Sequence, residues 1–309
     1  MSFKVRVDVS SIYEFLNSFI IFSNPRWINN LDLGQDWLDE SRSRLSLEEA
    51  EMFKDTALWK FSDFDILLSW VIQRKPKMRI PDFLDHLEFS DARQVHHEAL
   101  ELLPHLSHEE IEQVRERYTP LLRIWYKRYF KDVELEHEHY LREDVLEKKT
   151  LEDKMEPADL IEISTSGIRV GEHLPIDQVV LLPTLHLRPL NTYCFYHRLL
   201  VLQYPIDFPE KEGQPPNLLL RMTRALADPL RLNLLRFISE QGPLSFSEMK
   251  KQLPDLSDTL THHLMLLRVA GLLLIHLDVN QVENQHETYS LRKDGIADLQ
   301  IFLESYIRV

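Results

Sequence analysis

Between Ser257 and Ala270 the chain sets Leu260, Leu264 and Leu267 on one helical stripe and leaves Ser257, Asp258, Thr259, Thr261, His262 and Met265 off it. Small hydroxyl, carboxylate and imidazole groups near the start of an exposed helix are the kind that meet base edges in a DNA major groove. Arg231, Arg236, Lys250, Lys251, His263 and Arg268 precede or share this helix and are expected to meet phosphates. A second group invites metal chemistry, because Glu134 with His137 and Glu136 with His139 have the i, i+3 spacing of helical di-metal carboxylate sites. The two pairs point to different faces, no HExxH occurs, and the stretch from Glu134 to Glu156 is dense in charge, so a solvated helix without metal is expected. His96 and His97, and His105 and His108, read as surface or capping residues, and no catalytic residue or cofactor is expected.

Glycine usage narrows the chemistry further. The 309 residues contain only 7 glycines, at 34, 167, 171, 213, 242, 271 and 295, against an ordinary usage of about 7%. No pair fits GxxxxGK and no triplet fits GxGxxG, while the GxxxG pair Gly167 and Gly171 holds Arg169 where a nucleophile elbow needs serine. The lone Cys194 excludes an internal disulfide and a multi-thiolate zinc site, in keeping with a reducing compartment. No apolar run approaches the roughly 20 residues of a membrane span, and Met1 to Arg6 lacks a signal-like apolar stretch, so a cytoplasmic location and no membrane partner are expected.

The elements that must position these groups divide by texture into an α+β, mostly helical chain. Residues 1–157 read as a mainly helical region that opens with one short strand at Phe3 to Val9; Ser46-Leu47-Glu48-Glu49 and Ser107-His108-Glu109-Glu110 have capping-box form. Residues 158–208, with Leu160 to Thr165, Val179 to Leu185, Tyr193 to His197 and Leu199 to Tyr204, read as a small antiparallel sheet packing with that region. The aromatics Tyr193, Phe195, Tyr196 and Tyr204 are read as core. Residues 209–216 read as a Pro- and Gly-containing linker, and 217–309 as a second unit: two helices, a helix-turn-helix at Ser245 to Ala270, two strands about Val279 to His286, and a last helix.

Three stretches of this second unit resemble the ArsR/SmtB-type winged-helix regulators: Ala225 to Leu235, Leu260 to Leu272, and Glu287 to Leu291. The resemblance covers roughly 217–309; the preceding two thirds is similar to the extension of longer members and names no ligand. It implies a winged helix-turn-helix acting as a homodimer on a two-fold site in double-stranded DNA. An apolar stripe on the last helix, including Leu299, Phe302, Leu303 and Tyr306, suits the dimer contact. The sequence departs from the family in three places: Asp255 precedes the apolar Leu256 in the turn, the wing Val279 to His286 has no Lys or Arg, and the positions of metal-sensing members lack Cys on the first motif helix and His on the last.

The net charge of −14 is unevenly placed, since residues 217–309 hold 10 Lys and Arg against 11 Asp and Glu and the remaining −13 lies in 1–216. The expected function is sequence-specific DNA binding by a homodimeric repressor, residues 1–208 serving as a sensor or interaction domain for an unknown small-molecule or protein effector. The alternatives are an interaction module whose winged helix no longer binds DNA and, last, a metal-dependent enzyme.

Overall fold

The computed structural model describes residues 3–210, 212–278 and 287–308. The first part of the chain forms β1 (Lys4–Val7), α1 (Ser11–Ser23), α2 (Gly34–Ser43), α3 (Leu47–Met52), α4 (Asp63–Ile72), α5 (Ile80–Phe89), α6 (Ala92–Leu102), α7 (His108–Trp125) and α8 (Lys131–Glu152). A π-helical turn, Tyr126–Phe130, joins α7 to α8. Then come α9 (Pro157–Thr165), β2 (Ile168–Val170), β3 (Gln178–Thr184), β4 (Thr192–Tyr196) and β5 (Leu199–Pro205). The last part forms α10 (Asn217–Leu226), α11 (Pro229–Gln241), β6 (Leu244–Ser245), α12 (Phe246–Gln252), α13 (Leu260–Val269), β7 (Leu273–Leu277), β8 (Glu287–Leu291) and α14 (Asp294–Ile307). The class is α+β, mostly helical, with small mixed sheets. Among the described residues no helix is long and apolar enough to cross a membrane.

The larger of two compact units comprises Phe3–Thr150 and Ile176–Ile206. Its centre is α1, which is buried nearly all round and packs Ile12, Tyr13, Phe15, Leu16, Phe19, Ile21 and Phe22 into the core, with Glu14, Asn17 and Ser18 buried among them. Ser10 starts it by accepting the Ile12 amide. Aromatic rings fill the space around it: Phe22 stacks on Trp125 at 4.2 Å and Trp125 on Tyr129 at 4.7 Å, while the Trp70 indole N–H donates to the Val95 carbonyl. Pro81 sits in the first turn of α5, where its missing N–H costs no helical bond. The sheet has the order β1-β3-β5-β4, and β3 and β5 are buried along nearly their whole length.

This sheet is mixed rather than antiparallel, which corrects the sequence reading. β1 pairs with β3 and β3 with β5 in parallel, and only β4 and β5, joined by His197 and Arg198, form an antiparallel hairpin. The reason lies in the connections, since β1 reaches β3 through long intervening chain, and such crossovers deliver parallel partners. Burial on both faces also explains the unbroken apolar runs in β3 and β5.

The smaller unit takes in Leu151–Pro175 and the chain from Asp207 onward. Both its bounds and its contents depart from the sequence reading. Leu160 to Thr165 is helix, not strand: Pro157 opens α9, and Leu160, Ile161, Ser164 and Thr165 fall on one buried helical face. Ser166 closes it in the left-handed conformation at φ 54°. β2 then adds in parallel to β7, Ile168 opposite Ile275 and Val170 opposite Leu277, giving a sheet of order β2-β7-β8-β6. The stretch read as a linker belongs here too, with Glu210 accepting the Asn217 amide at 3.3 Å, as does Asp207, paired to Arg221 at 2.8 Å. Glu162 accepts Arg169 at 2.6 Å and lies 3.7 Å from Arg292, which also binds Asp298 at 2.7 Å. Thus α9, β2 and the start of α14 share one ion-pair cluster. The expected wing, Val279 to His286, lies outside the described residues.

The β2–β7 approach depends on Gly167, where a Cβ would lie 2.5 Å from the Leu273 carbonyl oxygen at φ +128°. Gly167→Ala is expected to lower stability by about 2 kcal/mol or more in urea unfolding. Gly213→Ala, whose Cβ meets nothing within 4 Å, should cost about 1 kcal/mol. Equal losses would mean that the close strand contact is not what selects glycine at 167.

Candidate functional site

In the smaller unit, α12 starts with a capping box in which Ser245 Oγ accepts the Glu248 amide and the Glu248 carboxylate accepts the Ser245 amide. A 3-10 turn, Pro254–Leu256, leads toward α13, whose Leu260, Leu264 and Leu267 are buried as their spacing requires. α13 begins at Leu260, later than the expected cap at Ser257. Ser257 has φ −50° and ψ −38°, so it prolongs the turn instead of taking the extended backbone of an N-cap. Ser257, Asp258 and Thr259 therefore precede the helix, with Thr259 at its cap. Asp258, Thr259, Thr261 and His262 are exposed, and Ser257 and Met265 are half-buried.

The expected phosphate contacts separate into two sets. Lys250 and Lys251 are exposed at the end of α12, and Arg236 is exposed beside Glu240 at 2.8 Å. Arg231 is instead a structural clamp: it donates to the Ala225 and Arg224 carbonyls at the end of α10 and pairs with Asp228 at 3.1 Å. His263, three residues after Leu260 and on its side of α13, is only 7% exposed, and burial lowers its basicity. Arg268 is half-buried beside Glu287 of β8 at 3.6 Å. On α14, Leu299 and Phe302 are half-buried while Leu303 and Tyr306 are exposed, together with Ile296, Ile301 and Ile307. Counting α9, β2 and the chain from 207 together, the unit holds 13 Lys and Arg against 20 Asp and Glu, more acidic than residues 217–309 alone.

The larger unit contains a constellation that the sequence reading did not assemble. Glu14 of α1, His137 of α8 and His186 just after β3 lie together in the interior, at 0%, 8% and 1% exposure. Glu14 Oε1 accepts the Leu185 and His186 amides at 3.0 and 2.7 Å and the His186 Nδ1 proton at 2.6 Å. Glu14 Oε2 accepts the Thr184 hydroxyl at 2.8 Å. On its far side, His186 Nε2 meets the Tyr129 hydroxyl at 2.8 Å, and that hydroxyl accepts the Trp37 indole N–H at 2.8 Å. His137 Nδ1 stands 3.9 Å from Glu14 Oε1. Burial alone would raise the Glu14 carboxyl, but attraction to the His186 ring and its hydrogen bond outweigh that and hold it well below the usual carboxylate range. Burial pushes His137 down to about 4, with the His186 ring adding to the effect.

His137 is thus not the solvated residue expected, and the signal for it was present: His137, Leu141 and Val145 repeat every fourth residue and form the buried stripe of α8. His139, two positions on, is exposed, so the two Glu–His pairs do serve different faces. His96 is buried as well, its ring 3.1 Å from that of His108. No protein-family model, curated protein or solved structure matches the chain.

The depressed His137 sets a pH dependence. Between pH 6.5, the ordinary histidine value, and about 4 the unfolded chain takes up a proton that the folded chain refuses, so stability falls as pH falls through this window. The loss is expected to reach about 3 kcal/mol. Urea unfolding of the parent and of His137→Gln across this range should give a steeper decline for the parent; parallel curves would show that His137 titrates normally.

Proposed function

We propose that the smaller unit is a winged helix-turn-helix and that the chain is a sequence-specific, homodimeric transcriptional regulator, acting as a repressor on duplex DNA. The observation that carries this reading is the element order α10-α11-β6-α12-α13-β7-β8-α14, with strands lying in the order β6-β8-β7 and α13 presenting Thr261 and His262 while it buries its leucine stripe. In this reading α12 crosses the phosphate backbone, Lys250, Lys251 and Arg236 meet phosphates, and α13 enters the major groove. Thr259 makes no side-chain capping bond, which leaves first-turn amides of α13 for a phosphate. The larger unit serves as the sensor or interaction domain. α14, with Leu299, Phe302, Leu303 and Tyr306, supplies the dimer contact.

The acidic balance of the unit favours one further reading, a protein-interaction module without DNA affinity, since phosphate attraction supplies most non-specific binding. Selection from a random duplex library separates the two, because enrichment of a two-fold site supports the regulator and its absence at low salt supports the module.

On the selected site, Thr261→Ala or His262→Ala is expected to weaken binding by about 1 to 3 kcal/mol while sparing random DNA. Lys250→Ala or Lys251→Ala should weaken all sequences alike and reduce the salt slope by about one. Competition binding at several salt concentrations measures both, and unchanged specific affinity in a folded Thr261→Ala, His262→Ala double variant would refute the groove assignment. Leu303→Glu with Ile307→Glu should yield a monomer by light scattering; a persistent dimer would move the interface off α14.

A further inference from the structure

The three side chains Glu14, His137 and His186 come from separate elements, yet each offers one ligand atom and these atoms lie within 4.8 Å of one another. Glu14 Oε1 is 2.6 Å from His186 Nδ1 and 3.9 Å from His137 Nδ1. An ion held at about 2.1 Å by three such atoms needs them roughly 3 to 3.5 Å apart. The first distance must open and the second close, each by under an ångström, and the two imidazole nitrogens, within 4.8 Å of each other, must come to the same spacing.

The hydrogen bonds around the cluster have a direction. Trp37 Nε1 can only donate, so the Tyr129 hydroxyl accepts from it, and His186 Nδ1, which faces the carboxylate, donates to Glu14, while Tyr129 and His186 Nε2 share one further hydrogen bond. Glu14 is ionised, and among the described residues its ion-pair partners within 4.0 Å are His137 and His186 only. A carboxylate enclosed in this way is well supplied with N–H and O–H donors, and among the described residues no Lys or Arg pairs with it.

We propose that Glu14, His137 and His186 form a binding site for one divalent transition-metal ion of the zinc class, through a carboxylate oxygen and two imidazole nitrogens. Two nitrogen donors out of three favour zinc, cobalt(II), iron(II) or nickel over magnesium and calcium, which take oxygen ligands. On binding, lone pairs of His137 Nδ1, His186 Nδ1 and one Glu14 oxygen go to the metal. The His186 Nδ1 proton gives way to the metal: it moves to Nε2 when that nitrogen carries none, the Tyr129 hydroxyl then accepting it, and otherwise it passes to solvent water. The Thr184 hydroxyl and the Leu185 and His186 amides stay on the carboxylate and fix its orientation, the second layer of contacts that metal-bound carboxylates keep. This site is independent of the DNA-binding reading.

The test uses the full chain, stripped with a chelator and then titrated with zinc or cobalt(II). One equivalent should remain after gel filtration, raise the thermal midpoint, and give cobalt absorption of a low-symmetry site. His137→Gln should bind at least tenfold more weakly and lose the thermal shift. Should that variant not fold, imidazole NMR of the parent decides: zinc should perturb two of the 14 histidines, the two beside Glu14. A parent that retains no metal, a His137→Gln chain that binds as tightly, or zinc shifts confined to exposed rings such as His97 and His139 would each overturn the site.

Discussion

The buried carboxylate of Glu14 is the constraint around which the larger unit is arranged. An ionised group with no exposure is tolerable only when donors surround it, and a donor lost would leave a charge costing several kcal/mol. Its donors come from the end of β3 and the turn beyond it, so α1 is held against that end of the sheet in one register. Thr184, which gives its proton to Glu14, accepts from Asn17, and Asn17 in turn donates to Gln203 of β5 at 2.6 Å. Two strands and one helix are therefore tied by polar bonds inside an otherwise aromatic core. The π-helical turn has its place in the same arrangement, because the extra residue it accommodates turns both Tyr129 and Phe130 inward, toward His186.

Much of the architecture could be read from residue pattern, and the exceptions have identifiable causes. The leucine stripe of α13 and the capping boxes at Ser46 and Ser107 are local signals with local outcomes. The run from Leu160 to Thr165 misleads because β-branched residues dominate it, whereas Pro157 and tertiary packing favour the helix. Arg231 looks like a free cation until the carbonyls at the end of α10 are placed beside it. The Glu14 cluster was hidden for a different reason: its members lie 123 and 49 residues apart along the chain, and no periodicity reports a meeting of three elements. Only the four-residue stripe of α8 hinted that His137 faces inward.

The charge distribution bears on how any DNA would be recognised. An acidic unit gains little from general attraction to phosphate, so affinity would have to come from a few placed cations and from base contacts. Arg231 and Arg268, engaged with Asp228 and Glu287, are held by the protein itself and hold its backbone in place. Such a surface would favour discrimination between sites over tight association with any site.

The pairing of β2 with β7 also has a consequence during synthesis. Ile168 and its partner Ile275 are separated by more than a hundred residues, and at about 5 to 20 residues per second the strand leaves the ribosome roughly 5 to 20 s before its neighbour exists. Throughout that interval the apolar Ile168 and Val170 have no strand to lie against, and residues 176–206 must fold into the other unit meanwhile. An unpaired, apolar strand edge is a template for pairing between nascent chains. The nascent chain must therefore keep this edge shielded until β7 emerges.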